Sequence, residues 1–125
     1  VEPGGRRGPQ ITPRTQKEAD TLAARAAQRR NMLMQLVKRL QSKDWAARKA
    51  AVDGLAELVG ADPSALEHVA ALLDSRSDRT RQTAVWAVSR IAPKGDPAAV
   101  ELLLKRLESR NMDVRMAALS ALGHV

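Results

Sequence analysis

The chain has 125 residues, enough for one domain with a modest core. Apolar residues make up 44% of it, yet there is no Phe, no Tyr and only two Trp, so the core must be built from small and branched aliphatics that favour closely packed helices over sheet. The absence of Cys excludes disulfides, thiolate chemistry and Cys-based zinc sites and fits a reducing intracellular compartment, cytoplasm or organelle interior, and no stretch approaches the roughly 18 consecutive apolar residues that span a bilayer.

The net charge of +7 is unevenly spread. Residues 1–42 hold nine Lys+Arg against three Asp+Glu, whereas residues 43–125 hold twelve against eleven. Anion-seeking behaviour is therefore assigned to the first segment. Residues 1–14 contain three Pro, three Gly and three Arg and show no hydrophobic periodicity. Residues 1–15 are read as a basic, disordered tail and residues 16–125 as the folded domain.

Thr15 and Glu18 have the spacing of a capping box, so a first helix is expected from about residue 16 to about residue 41. Leu22, Ala26, Leu33, Leu36, Val37 and Leu40 supply its helical stripe. Beyond it the chain repeats. Arg48, Arg81 and Arg115 stand 33 and 34 residues apart. Three residues after each stands Ala51, Ala84 or Ala118, and seven after stands Leu55, Val88 or Leu122. Eight before stands Leu40, Leu73 or Leu107, and twelve before stands Leu36, Val69 or Leu103.

Asp62-Pro63 and Asp96-Pro97 each mark a helix start, because Asp is a good N-cap and Pro is tolerated at the first helical position. Gly60 and Gly95 are expected to close the preceding helices. The later helices then fall at about 45–59, 63–74, 79–92, 97–109 and 113–125. Ala117 to Val125 reads as helix with no cap signal, and Val1 is not followed by a signal-peptide core, so the chain reads as a processed protein or a fragment whose third repeat is truncated. The expected fold class is all-α, a right-handed α-solenoid of about three antiparallel helix pairs over residues 16–60, 61–94 and 95–125. One pair cannot bury its apolar stripe alone, but stacked pairs share a core.

Three stretches carry a family resemblance: Asp44 to Ala51, Asp78 to Ala84 and Asp113 to Ala118. Each opens on Asp, reaches the recurrent Arg and runs into Ala. They resemble the second helix of HEAT repeats, in particular the short subclass of bilin-lyase-like proteins, over about residues 33–125. Thr83 departs from the pattern by replacing the first Ala of the pair. The resemblance implies that Arg48, Arg81 and Arg115 form a structural ladder linking neighbouring repeats. It also implies that the second helices line a concave surface, with Lys49, Asp53, Gln82, Trp86 and Arg90 on or near it.

The two Trp add a reading from the residues themselves. Trp86 occupies the position held by Asp53 and Ser120 in the sister repeats, and Trp45 the position held by Asp78 and Met112. Aromatics at positions that are polar elsewhere are candidates for partner contact, or else fill space against a neighbouring helix. His68 and His124 sit on different repeats without convergent ligands, so no catalytic residue, metal or cofactor is expected.

Arg6, Arg7, Arg14, Lys17, Arg25, Arg29, Arg30, Lys38 and Arg39 offer a second site, for phosphate. No aromatic interleaves with them, so any RNA binding there would be independent of sequence. A solvated face or the remnant of a targeting peptide is the alternative. The leading function is a non-catalytic scaffold whose partners are the protein subunits of a larger assembly. An RNA-associated scaffold anchored by the basic segment is the second. A bilin-lyase-like or other enzyme-assisting protein is the third, and it rests on the resemblance alone.

Overall fold

The computed structural model describes residues 12–125, which contain six α-helices and no strand. The tail with Arg6 and Arg7 lies outside the described residues. Helix α1 spans Pro13–Arg39, α2 Trp45–Leu58, α3 Ser64–Ala71, α4 Asp78–Ile91, α5 Pro97–Arg106 and α6 Met112–Leu122. A 3-10 turn, Leu72–Asp74, continues α3.

The chain divides into two compact units, with the boundary at Asn31/Met32, inside α1. In the first unit Leu22 is 64% exposed despite standing in register with the buried Leu33. This stretch is helical by local means. It is rich in Ala and Arg, and Arg14–Glu18 and Gln16–Asp20 add side-chain contacts one turn apart at 3.3 and 2.8 Å. The helix also starts earlier than the capping box implied. Thr12 is the cap: its Oγ1 accepts from the Thr15 N–H at 3.1 Å, and Pro13 takes the first helical position, where its missing N–H costs nothing. Glu18 pairs with Arg14 instead of reaching back to Thr15.

The second unit, residues 32–125, is built of helical hairpins. The helices α2, α4 and α6 pack in series as one layer, α3 packs on α5, and each hairpin closes through α3 on α4 and α5 on α6. Leu33, Leu40, Val52, Leu55, Val69, Leu73, Val88 and Leu103 are the largest fully buried side chains. Each such aliphatic contributes about 1.5–3 kcal/mol by leaving water. Ala51, Ala84 and Ala118, three after each repeat Arg, are all fully buried and let neighbouring helices approach closely. Gly54 of α2 faces α1 closely. A Cβ there would stand 3.1 Å from Leu36 Cδ2 of α1.

The caps follow the local sequence, with three departures from expectation. Asp44, Ser77 and Asn111 cap α2, α4 and α6, accepting from Ala46, Thr80 and Asp113 N–H groups at 3.1, 3.2 and 2.8 Å. Asp62 accepts from the Ser64 N–H at 3.1 Å, but the Asp96 carboxylate makes no capping bond and Pro97 alone defines that helix start. Gly60 has no left-handed backbone, and Gly95, with φ +71, lies beyond the end of α4 rather than at it. The reason is Pro93: the residue before proline is pushed out of the helical region, and Ala92 is extended with ψ 131. Finally, α6 does not run to Val125. It ends at Leu122, and the Gly123 N–H meets the Leu119 and Ser120 carbonyls at 3.2 Å.

Candidate functional site

Each second helix is introduced by the same short device. Ser42, Ser75 and Ser109 stand six residues before Arg48, Arg81 and Arg115. Their hydroxyls accept the N–H two residues on, at Asp44, Ser77 and Asn111, at 3.0 to 3.1 Å. Their carbonyls accept from the arginine Nη1 at 2.7, 2.7 and 2.6 Å. Each arginine thus ties its helix to the turn of its own repeat. The resemblance implied bonds between repeats. Among these arginines only Arg81 makes one, 3.8 Å from Asp113, and it also meets its own Asp78 at 3.2 Å. With a hydrogen-bonded carbonyl and two carboxylates around it, Arg81 is held at 8% exposure, which a charged group tolerates only when paired.

The six residues expected on the interaction surface come together on two facing stripes. Trp45, Lys49 and Asp53 follow one another at four-residue spacing along α2, and Gln82, Trp86 and Arg90 do so along α4. The rings of Trp45 and Trp86 approach to 5.0 Å between centroids. At the other end Asp53 accepts from Arg90 Nη2 at 3.3 Å and lies 3.8 Å from Lys49 Nζ. Trp45 is 55% exposed, while Trp86 is half-buried and rests on the core. Trp86 thus fills space against the core, and Trp45 presents its ring to solvent.

The cleft between the stripes measures about 190 Å³ and is lined by Trp45, Arg48, Arg79, Gln82, Thr83 and Trp86. Arg79 was not singled out from the sequence, and Thr83 stood out there only as a departure from the repeat pattern. For Arg79 a signal existed, since it stands two before its repeat Arg, where the third repeat has Asp113. The resemblance implied an architectural role for Arg48. It makes the turn bond, but its guanidinium also lies 5.6 Å from the centre of the Trp45 ring, within cation–π range.

The remaining candidates are placed simply. Lys17, Arg25, Arg29 and Arg30 of α1 are exposed and make no ion pair among the described residues, and Arg14 is held by Glu18. His68 and His124 are both exposed. A further link between repeats, Arg106 of α5 to Asp74 at 3.4 Å, was not anticipated. No described helix is long and apolar enough to cross a membrane.

Hairpins of about 33 residues, stacked through a common aliphatic core and closed by one recurrent arginine, define a helical-repeat protein. The family of HEAT repeats matches the chain over residues 13–89 and again over 33–123, and the chain belongs to it. The match carries no bilin-lyase-like subclass. HEAT repeats are commonly protein-interaction scaffolds and generally not enzymes. No curated protein matches the chain in sequence.

Proposed function

We propose that this chain is a non-catalytic protein–protein interaction scaffold, a peripheral or bridging subunit of a larger assembly, and that it binds its partner through the stripes of α2 and α4. The observation that carries the reading is the paired Trp45 and Trp86 beside a polar row of Gln82, Lys49, Asp53 and Arg90. Interfaces concentrate their energy in a few rigid aromatic anchors within a polar surround. Trp45 supplies the exposed anchor, and Trp86 fixes it from behind. The ion pairs of Asp53 hold the polar end in one arrangement before any partner arrives, which lowers the ordering cost of association.

The test is affinity purification of the tagged chain from its native cell, with and without nuclease, followed by mass spectrometry. A defined set of proteins that survives nuclease and is lost in Trp45→Ala is the expected result. Loss of everything with the nucleic acid would sink the reading.

A second reading, an RNA-associated scaffold, has one observation in its favour: Lys17, Arg25, Arg29 and Arg30 on α1 are exposed and make no ion pair among the described residues. Binding of that kind would be sequence-independent and would fall steeply with salt. Deleting residues 1–30 would abolish it and leave the Trp surface intact.

A further inference from the structure

The two grooves between successive second helices are built from the same repeat positions but differ in charge. In the groove between α4 and α6, Arg81 faces Asp78, three before it in its own repeat, and Asp113, two before the arginine of the next. This groove neutralises itself. In the groove between α2 and α4 the corresponding arginine is Arg48. The position three before it is Trp45, and the position two before the next arginine is Arg79. Both carboxylates are gone: one is replaced by an indole and the other by a second guanidinium.

Two guanidiniums therefore line one cleft, with Trp45 and Trp86, and neither makes an ion pair among the described residues. The Arg48 Nε–H is buried without a hydrogen-bond acceptor among the described residues, as is that of Arg106, so the outward-facing part of the guanidinium is what a ligand could meet. Asp53, farther along the α2 stripe, is taken up by Lys49 and Arg90.

We propose that the α2–α4 cleft receives a carboxylate of an acidic peptide segment, held between Arg48 and Arg79, with a neighbouring apolar side chain of the peptide packed on the exposed face of Trp45. This rests on the interaction reading above and names the chemistry of the partner. Arginine forks suit carboxylates, and an indole next to them suits an aliphatic or aromatic neighbour. A nucleic acid strand fits less well. Its phosphates would continue along the same face into Asp53 on one side and Asp78 and Asp113 on the other. The two indoles also already lie against each other, which leaves no gap between them for a base.

The chain has only these two Trp and no Tyr, so intrinsic fluorescence reports on this cleft alone. The experiment is selection of a random peptide display library on the full chain. The selected peptides are then synthesised and titrated against tryptophan emission, with a short oligouridylate as a parallel probe. Arg79→Asp is the decisive variant, because Asp113 occupies the same repeat position and the fold accepts a carboxylate there. Its melting temperature should equal or exceed that of the parent. Trp45→Ala and the charge-retaining Arg79→Lys complete the set.

Selected peptides are expected to carry Asp or Glu beside an apolar residue and to shift the emission. They should bind at least about tenfold more weakly to Arg79→Asp, with most affinity kept in Arg79→Lys. Peptides that require Trp45 but ignore the charge at 79 would overturn the carboxylate site and leave the interaction reading standing. Failure to select any peptide, or binding that survives both Arg79→Asp and Trp45→Ala, would overturn both. Oligouridylate that shifts the emission at lower concentration than any selected peptide would overturn the inference in favour of nucleic acid.

Discussion

Trp45 and Trp86 hold their indole rings 5.0 Å apart, with planes inclined by 33°, and so join the first second-helix to the next. Offset aromatic contacts of this kind contribute about 0.5–1.5 kcal/mol beyond the area they bury. The two partners differ in burial, so their removal should differ in cost. Trp45→Ala, at a largely exposed position, is expected to destabilise by about 1 kcal/mol, and Trp86→Ala, which also uncovers the core, by about 3 kcal/mol. Urea denaturation of both single variants and the double variant should return a coupling of about 1 kcal/mol. A coupling near zero would mean that the rings merely touch.

The repeat arginines share one turn bond but not one environment, and that difference is measurable. Arg81→Ala leaves the Ser75 carbonyl without its donor and strips Asp78 and Asp113 of their cation. The expected loss is about 3 kcal/mol. Arg115 makes the same bond to Ser109 but pairs with no carboxylate among the described residues, so Arg115→Ala should cost only about 1 kcal/mol. Arg81→Lys should not restore stability, because an ammonium cannot span a carbonyl and two carboxylates as the planar fork does. Thermal melts decide it, and equal losses at 81 and 115 would show that the carboxylates add nothing.

Gly54 sits in the middle of α2, at the position held by the fully buried Ala87 and Ala121 in the other repeats. Glycine there costs about 0.5–1 kcal/mol in backbone entropy relative to alanine. Against that gain stands the approach of a new Cβ to 3.1 and 3.2 Å from the two terminal methyls of Leu36. Those methyls are the far end of a half-buried side chain and can yield by a few tenths of an ångström. Gly54→Ala should therefore stabilise by roughly 0.5 kcal/mol and raise the melting temperature by a few degrees. A lower melting temperature would show that α1 holds Leu36 rigidly.

Much of this was legible in the sequence, and the parts that were not share a cause. The recurrence of Arg48, Arg81 and Arg115 with their flanking Ala and aliphatic residues, together with the two Asp-Pro starts and the stripe of the first helix, indicated all six helices, because the 33–34-residue period constrains many positions at once. The polar substitutions in the sister repeats singled out Trp45 and Trp86, which turn out to touch. Periodicity could not tell that Leu22 is exposed and Leu33 buried, since both keep the same register on one helix and only tertiary packing separates them. The serines at 42, 75 and 109 were equally periodic, but their role needs the arginine to fold back six residues, which is a matter of three dimensions. The charge difference between the grooves also required knowing that position 79 of one repeat meets position 48 of the one before.

The same dependence on neighbours separates two residues at one repeat position. Val52 and Leu119 both lie four after their repeat arginine. Val52 is fully buried in the core, whereas Leu119 is 57% exposed. A polar amide at 52 would lose its water without gaining a partner and would overfill a close-packed site, so Val52→Gln is expected to cost more than about 3 kcal/mol. At 119 the same side chain stays hydrated, and Leu119→Gln should fall within about 0.5 kcal/mol of the parent. Chemical denaturation of the two variants side by side measures the difference directly. A large loss at 119 would mean that its helix face is covered in solution, by a second copy of the chain, and the stability should then rise with protein concentration.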